Sequence, residues 1–541
     1  MTHFYPLWLL RYWIMRSGDL PRMGVPDDLA VRLSLPEQHE YLTRSLRRRT
    51  LFGAAAGGAV AVKMRSPAFA RQGDFHPGRL IVPFGRHLAW GANPRTQMRI
   101  GWQVPDKVRH PYVRVGDSPA GLGDKIPAEI RPLHTEVKDV IAATDQFYVH
   151  AAIDGLEPGR TYFYVVGHHG FEPTDLAEFG RIDTFTTAPT RTRVAEPFTF
   201  TAFGDQGVSP QALHNDSRIA AQKPVFHLHA GDLCYADASG KGELDDLYNP
   251  TRWDQFLAQN EPIAATVPWM ATLGNHDMEA IYSPHGYGGQ LARWEFPGNG
   301  PAKAVGSYSF VYGNVGVVAL DANDISFEIT VNRGYTHGAQ TAWLDERLKW
   351  LRAQPDVDFV VVFFHYCAYS TTVSHASDGA VRNMWVPLFD KYGVDLVING
   401  HNHIYERADT MKAGRSTRTP IGATVHPGTD GTTYVTAGAG GRGLYEFSAP
   451  DTYAGHERGI DAVKSFVWNA DGDRVDEIVP WSRVRYTGYS FLAVDVRPAH
   501  AGRTATMTLR AVTEKGAEID RLVLARTAGD GSRLHLSDDA G

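Results

Sequence analysis

The sequence predicts an α/β protein in which a layered α/β domain over residues 191–541 follows an all-β sandwich over 71–190. Three observations carry that reading. Short strand-like runs separated by Gly, Pro and Asp occupy residues 75–189. From Pro197 onward, apolar runs of four to eight residues end abruptly in Gly-containing polar clusters. Between two of those runs, the stretch from Gln340 to Leu351 carries apolar residues at 343, 344, 348 and 351, one face of an amphipathic helix. A chain of 541 residues has room for two or three domains.

Residues 1–70 read as an address rather than a fold. Arg47, Arg48 and Arg49 precede an apolar, Ala/Gly-rich run from Gly53 to Val62, and Ala68-Phe69-Ala70 follows as an A-x-A cleavage site. Basic, apolar and small-residue regions in that order describe a secretory signal, and adjacent arginines make it a twin-arginine type. The expectation is an exported protein, secreted or held in the cell envelope, with a mature chain beginning near Arg71. Upstream, Trp8 to Trp13 is apolar but too short to span a bilayer. A start at Met23 would account for that extension, and no later stretch has the length of a transmembrane segment.

In the sandwich, the runs Gln97–Val104, Gln146–Ala151 and Tyr162–Val166 are strand-like. Leu156-Glu157-Pro158-Gly159-Arg160-Thr161-Tyr162-Phe163-Tyr164 resembles the turn-and-strand signature of fibronectin type III domains, and alternation points Tyr162 and Tyr164 to one face, the core. Thr186 to Thr190 reads as a linker. Beyond it the apolar runs are Phe198–Phe203, Val225–Ala230, Trp269–Leu273, Phe359–Phe364, Val394–Ile398 and Thr433–Ala437. They describe buried strands covered by helices. After Gly443, Tyr489–Val496 and Arg503–Ala511 are expected to complete a second sheet.

A formal charge of −6 gives no electrostatic reason to expect nucleic acid or an anionic membrane surface. An anionic substrate would need local positive charge, which bound cations supply. The two cysteines, Cys234 and Cys367, exclude a Cys-rich zinc site and a disulfide framework. Two buried thiols is the favoured reading over a single disulfide. No residue pattern assigns an oligomeric state.

Five clusters follow five of the strands: Gly204-Asp205-Gln206-Gly207, Gly231-Asp232-Leu233-Cys234-Tyr235, Gly274-Asn275-His276-Asp277, Val362-Phe363-Phe364-His365 and Gly400-His401-Asn402-His403. Ligands collect at the carboxyl ends of strands in α/β sheets, so five distant segments can converge on one rim. Carboxylate, amide oxygen, imidazole and phenolate suit iron, manganese or zinc. A bridging carboxylate can hold two such cations about 3.5–4 Å apart, where they clamp a phosphoryl group and acidify a bound water. Any one cluster alone is more often a turn or a core histidine. Five in order at strand ends point to a dinuclear site.

The ordered set GDxG, GDxxY, GNH(D/E), VxxH and GHxH resembles that of purple acid phosphatases, within the calcineurin-like metallophosphoesterases, from about Phe198 through Tyr405-Glu406-Arg407. The resemblance implies a four-layer α/β/β/α metallophosphoesterase sandwich behind a fibronectin III-like domain. It implies Asp205, Tyr235 and His403 on a ferric ion, Asp232 as the bridge, and Asn275, His365 and His401 on a divalent partner, zinc, manganese or ferrous iron. Attack on a phosphomonoester by a metal-bound hydroxide is the implied reaction. Tyr235 separates the purple subgroup from ordinary metallophosphoesterases. His276 resembles the family's phosphate-contacting histidine and candidate acid, and His375, in the Ser/Thr-rich stretch 370–377, a substrate-side histidine. Asp277 stands where plant members usually carry Glu, a shorter carboxylate expected to reposition His276. Residues 410–431 are expected to form a loop near the site mouth, and Gly438-Ala439-Gly440-Gly441 to serve close backbone packing. His227 and His229 share one face of a strand, where packing is the default. Two other readings stand beside the phosphatase: a phosphodiesterase or phospholipase on the same metal core, and a surface binding protein using the β-sandwich.

Overall fold

The computed structural model describes residues 81–136, 143–174, 181–190, 196–244, 247–459, 462–499 and 504–526. The expected export signal and the first residues of the sandwich lie outside them.

The N-terminal strands form two four-stranded antiparallel sheets. One runs Phe84–Trp90, Met98–Val104, Thr144–Ile153, Glu129–Thr135, and the other Ile126–Pro127, Tyr112–Gly116, Thr161–Gly167, Asp183–Thr186. Tyr162 and Tyr164 both point into the core, as alternation requires. The stretch expected to be a linker is clamped to this unit: Ala188 is buried, donates its N–H to Pro94 O at 3.0 Å and accepts from Gly159 N at 3.0 Å.

The α/β part has two seven-stranded sheets. The first runs in the order Trp269–Thr272, His227–Ala230, Phe198–Phe203, Ser490–Arg497, Ala505–Thr513, Glu518–Arg526, Thr424–Val425. The second runs Tyr308–Tyr312, Val315–Ala319, Phe359–Phe364, Leu396–Asn399, Thr433–Ala437, Tyr405–Ala408, Ser482–Tyr486. Side-chain alternation sorts the strands into layers. Phe359, Val361 and Phe363 join Phe200, Ala202, Leu228 and Met270 in a core between the sheets. Val360, Val362 and Phe364 face the other way, onto Leu344, Leu348 and Leu351 of the helix Ala339–Arg352 and onto Phe389. Phe203 and Trp269 meet Ile219 and Ile263 from the helices Pro210–Ala221 and Thr251–Ala264. Strands buried on both faces read as continuous apolar runs, and the result is α/β/β/α.

The C-terminal strands complete one of these two sheets: Ser490–Arg497 pairs antiparallel with Phe198–Phe203 and extends the sheet that carries Asp205, Asp232 and Asn275 at its strand ends. One expectation is corrected: residues 410–431 do not lie at the site mouth. Met411 pairs with Thr432, just before the start of Thr433–Ala437, and Ala413 N donates to Asp390 Oδ2 at 3.0 Å. That is the amino end of the strands, opposite the clusters. Cys234 and Cys367 are free and buried. Among the described residues no helix is long and apolar enough to cross a membrane.

The sandwich grips the helix Thr251–Ala264. Arg86 pairs with Glu261, both buried, and Tyr164 Oη donates to Ala265 O at 2.8 Å. Gln103 and Gln146 both donate to Asp254 Oδ1, at 2.5 and 2.6 Å. Burial raises the Asp254 pKa to about 6, against the two amides, which lower it. The folded chain therefore holds a proton there that the unfolded chain has released, and this part of the stability is present in acid and lost as pH rises through about 6. Thermal denaturation at pH 4.5 and pH 7 should show Asp254→Asn with a flatter pH dependence than the parent, by about 2 kcal/mol. Parallel curves would remove Asp254 from the pH response.

Candidate metal centre

Each of the five clusters leaves the carboxyl end of a strand. Phe198–Phe203, His227–Ala230 and Trp269–Thr272 are parallel neighbours, so Asp205, Asp232 and Asn275 emerge along one rim. Phe359–Phe364 and Leu396–Asn399 are parallel neighbours in the second sheet and bring His365 and His401 to the same end. The rims close on each other through glycine. A Cβ on Gly400 would stand 2.6 Å from Asp205 Oδ2, and one on Gly274 would stand 2.2 Å from Asp232 Oδ1. Both would collide with a carboxylate of the site.

Asp205, Asp232, Tyr235 and His401 all adopt left-handed backbone, with φ of 59°, 53°, 58° and 66°. None is glycine, and such conformations cost about 1–3 kcal/mol each. Four of the seven sequence-predicted ligands are thus held in an unfavourable turn so that their side chains face inward. All seven are buried.

The donors fall into two groups that meet at Asp232. Tyr235 Oη lies 3.2 Å from Asp205 Oδ1 and 2.9 Å from His403 Nε2. Ligand atoms of Asp205, Asp232 and His403 lie within 4.8 Å of one another. In the second group His365 Nε2 lies 3.0 Å from Asn275 Oδ1, 3.3 Å from His401 Nδ1 and 3.3 Å from Asp232 Oδ1.

The far nitrogen of each histidine is already committed. His365 Nδ1 meets Ala230 O at 2.8 Å, His401 Nε2 meets Glu328 Oε2 at 2.8 Å and His403 Nδ1 meets Gly443 O at 2.6 Å. Those partners are acceptors, so each far nitrogen carries the proton and each lone pair is aimed into the site. Two imidazole lone pairs and an amide oxygen facing one another ask for a cation. Against burial, Asp232 and Asp205 favour positive charge at His365 and raise its pKa to about 9, so a proton on Nε2 or a metal cation there meets the same demand. The donor set fits two metal ions.

Around the ligands, Asp277 accepts from Asp232 N, Leu233 N and Gly274 N at 2.9, 3.1 and 2.8 Å. It ties the loops of Asp232 and Asn275 together through backbone N–H groups rather than through the His276 ring. His276 donates its backbone N–H to Asp232 Oδ1 at 2.8 Å, its Nδ1 meets Asp237 O at 2.9 Å, and its ring lies 4.4 Å from that of Tyr235. His375 reaches the open flank, its ring 4.3 Å from His401. Glu406 accepts from Ser370 Oγ and Thr371 N at 2.8 and 2.9 Å, which anchors the stretch leading to His375. A Cβ on Gly440 would stand 2.3 Å from Gly204 O, so the Gly-rich stretch serves close backbone packing. His227 and His229 pack against Phe203 and Trp269 in the core.

Sequence reasoning missed two residues. Glu328 holds His401 through Oε2 and His375 Nδ1 through Oε1, the latter at 2.5 Å. Burial would raise its pKa, but His401 and His375 bring it down to about 2, so it stays a carboxylate. Tyr445 stacks on His403 at 4.0 Å with its hydroxyl 3.3 Å from His375 Nε2. Neither belongs to a glycine-led cluster.

Residues 83–187 match the model of the purple acid phosphatase N-terminal domain, and residues 199–405 that of calcineurin-like phosphoesterases. An uncharacterised Mycobacterium tuberculosis protein is 31% identical over 92% of this chain and 95% of its own length. Purple acid phosphatase 18 of Arabidopsis thaliana is 27% identical over 62% of this chain and 68% of its own. Among solved structures, the purple acid phosphatase PPD1 from yellow lupin seeds superimposes with a TM-score of 0.62 at 19% identity, over 84% of this chain and 76% of that one. At that identity the likeness speaks to fold alone.

Proposed function

We propose, from the premise that this chain belongs to the purple acid phosphatase family of calcineurin-like phosphoesterases, that it is an exported acid phosphatase hydrolysing phosphomonoesters at a site for two metal ions. One observation carries the reading: seven buried donors face one another while the far nitrogens of their three histidines are tied to acceptors.

Asp205, Tyr235 and His403 would hold a ferric ion, and Asn275, His365 and His401 a divalent zinc, manganese or iron ion, with Asp232 between them. When bound, the pair offsets charge on the phosphoryl oxygens and makes water acidic enough to serve as nucleophile. His276, its backbone fixed on Asp232, contacts the phosphoryl group and passes a proton to the leaving oxygen. On the other flank Glu328 fixes the ring of His375, which meets the substrate. The burial of the seven donors keeps bulk water from screening these charges. Export rests on Arg47, Arg48, Arg49 and Ala68-Phe69-Ala70, and a mature N-terminus near Arg71 is the expected result of sequencing the secreted protein.

Purified protein should carry two metals per chain, absorb visible light through a tyrosinate–iron band and turn over p-nitrophenyl phosphate faster than its bis-ester. Tyr235→Phe should abolish the colour and lower kcat/KM by roughly tenfold or more. A colourless but active parent would remove the ferric–tyrosinate assignment. Full metal loading with no turnover of either ester would sink the enzyme reading.

A further inference from the structure

A hairpin outside both matched segments grips the stretch that carries His375. The strands Val463–Trp468 and Arg474–Val479 pair antiparallel, and Ser377–Asp378 adds in parallel beside Val467 and Trp468. Trp468 Nε1 donates to His375 O at 2.9 Å, and Arg474 Nη2 donates to Ser374 O at 2.9 Å. The Arg474 guanidinium lies 4.5 Å over the Phe466 ring and 4.8 Å over that of Trp468, so each donor steadies the other. Ser465 Oγ donates to Ser370 O at 3.1 Å, so the hairpin follows the stretch from Ser370 to Ser377.

These bonds fall where the backbone is strained. Ala376, directly after His375, is left-handed at φ 49°, a conformation that a residue other than glycine keeps only where its surroundings fix it. From the metal side, Asn402 Nδ2 donates to Ala376 O at 2.9 Å; from the outer side, Trp468 holds His375 O. The carboxylate that orients the His375 ring is referenced to the same hairpin. Asp378, paired with Trp468, accepts from Ser326 Oγ at 2.7 Å and Phe327 N at 3.0 Å, just before Glu328. Gly379 permits the close fit, since a Cβ there would stand 2.3 Å from Trp468 O. An indole offers one rigid N–H donor and no acceptor, which suits it to fix a carbonyl.

We propose that Trp468, assisted by Arg474, is a positioning residue for substrate binding. It holds the backbone of His375 so that the ring, already fixed by Glu328, meets the phosphoryl group, while Trp468 itself stays off the substrate. A displacement of about 1 Å at a binding group is enough to weaken a site, and both donors act on the two carbonyls nearest that ring. This rests on the reading above that His375 meets the substrate.

Trp468→Phe keeps a ring and removes the N–H, and Arg474→Ala removes the bond to Ser374 from an exposed side chain. In the metal-loaded full-length protein, both should raise KM for p-nitrophenyl phosphate and weaken orthophosphate binding measured by calorimetry. The expected change is roughly fivefold for Trp468→Phe and twofold for Arg474→Ala, with kcat within about twofold of the parent. In a His375→Ala background the further loss from Trp468→Phe should shrink below about 1.5-fold. In the metal-free protein, hydrogen exchange over residues 370–378 should accelerate in Trp468→Phe while that over 396–399 stays parental. Equal losses from Trp468→Phe with and without His375 overturn the proposal, because they would mark a general structural role. Parental phosphate affinity in Trp468→Phe, beside weak binding in His375→Ala, also overturns it and leaves the substrate-side reading of His375 standing. Parental affinity and turnover in His375→Ala remove that reading, and this proposal with it. A protein that turns over no ester loses the catalytic reading alone, since the orthophosphate cycle still decides this one.

Discussion

Replacing Asp232 with Asn should lower kcat on p-nitrophenyl phosphate by roughly 10³-fold and reduce bound metal below two per chain. The reason lies in where the carboxylate stands. Asp232 Oδ1 is 3.3 Å from His365 Nε2 in one donor group, while the residue shares the other group with Asp205 and His403. Burial would raise its pKa, but His365, His276 and His401 outweigh burial and keep it ionised. An amide retains an acceptor for His276 N–H and nearly the same volume, so the fold should survive while the charge shared by two cations is lost. Metal analysis and kcat on the same preparation decide the matter. Two tightly held metals with parental kcat in Asp232→Asn would show that the two groups do not share this carboxylate.

The seven donors that the structure brings together were legible for a physical reason that did not extend to what supports them. A side chain that must turn inward at a strand end needs a sharp turn, and the turn leaves a trace as glycine beside a polar residue, as at Gly204-Asp205 and Gly400-His401. The layers were legible too, because strands such as Phe359–Phe364, covered on both faces, must be apolar throughout. Glu328 leaves no such trace. It reaches His375 and His401 across 47 and 73 residues of chain, from a segment that any surface loop would resemble. Tyr445 follows a Gly-rich stretch that reads as packing, and packing is what its glycines do; the ring that stacks on His403 sits just beyond. The segment 410–431 misled for the converse reason. Its Thr, Gly and Pro content marks a loop, but composition does not say at which end of a sheet a loop lies. Only the pairing of Met411 with Thr432 does.

Glu279→Ala should destabilise the chain by about 3–5 kcal/mol, the largest stability effect expected from one substitution here. Glu279 and Arg293 are both fully buried, 2.6 Å apart. Arg293 also donates to Tyr148 Oη at 3.1 Å and Tyr248 Oη at 3.0 Å and lies 4.2 Å over the Trp253 ring, whose Nε1 donates to Glu279 Oε1 at 2.5 Å. Alanine would leave a guanidinium buried without its counter-charge, and that penalty exceeds the net worth of the pair. Replacing both residues with methionine should therefore recover much of the loss, whereas Glu279→Gln should fall between. Urea denaturation midpoints of the three variants test this ordering; a double replacement no better than Glu279→Ala would refute the unpaired-charge account. The cluster also links the site to the sandwich. Tyr148 belongs to the strand Thr144–Ile153, Glu279 lies two residues beyond Asp277, and Gln290, on the same short helix as Arg293, donates to Asp277 O at 3.0 Å. Asp277 in turn fixes the loop of Asp232. A chain of buried polar contacts thus runs from the sandwich to the loop of Asp232, so Glu279→Ala should lose metal at a lower urea concentration than the parent, ahead of global unfolding.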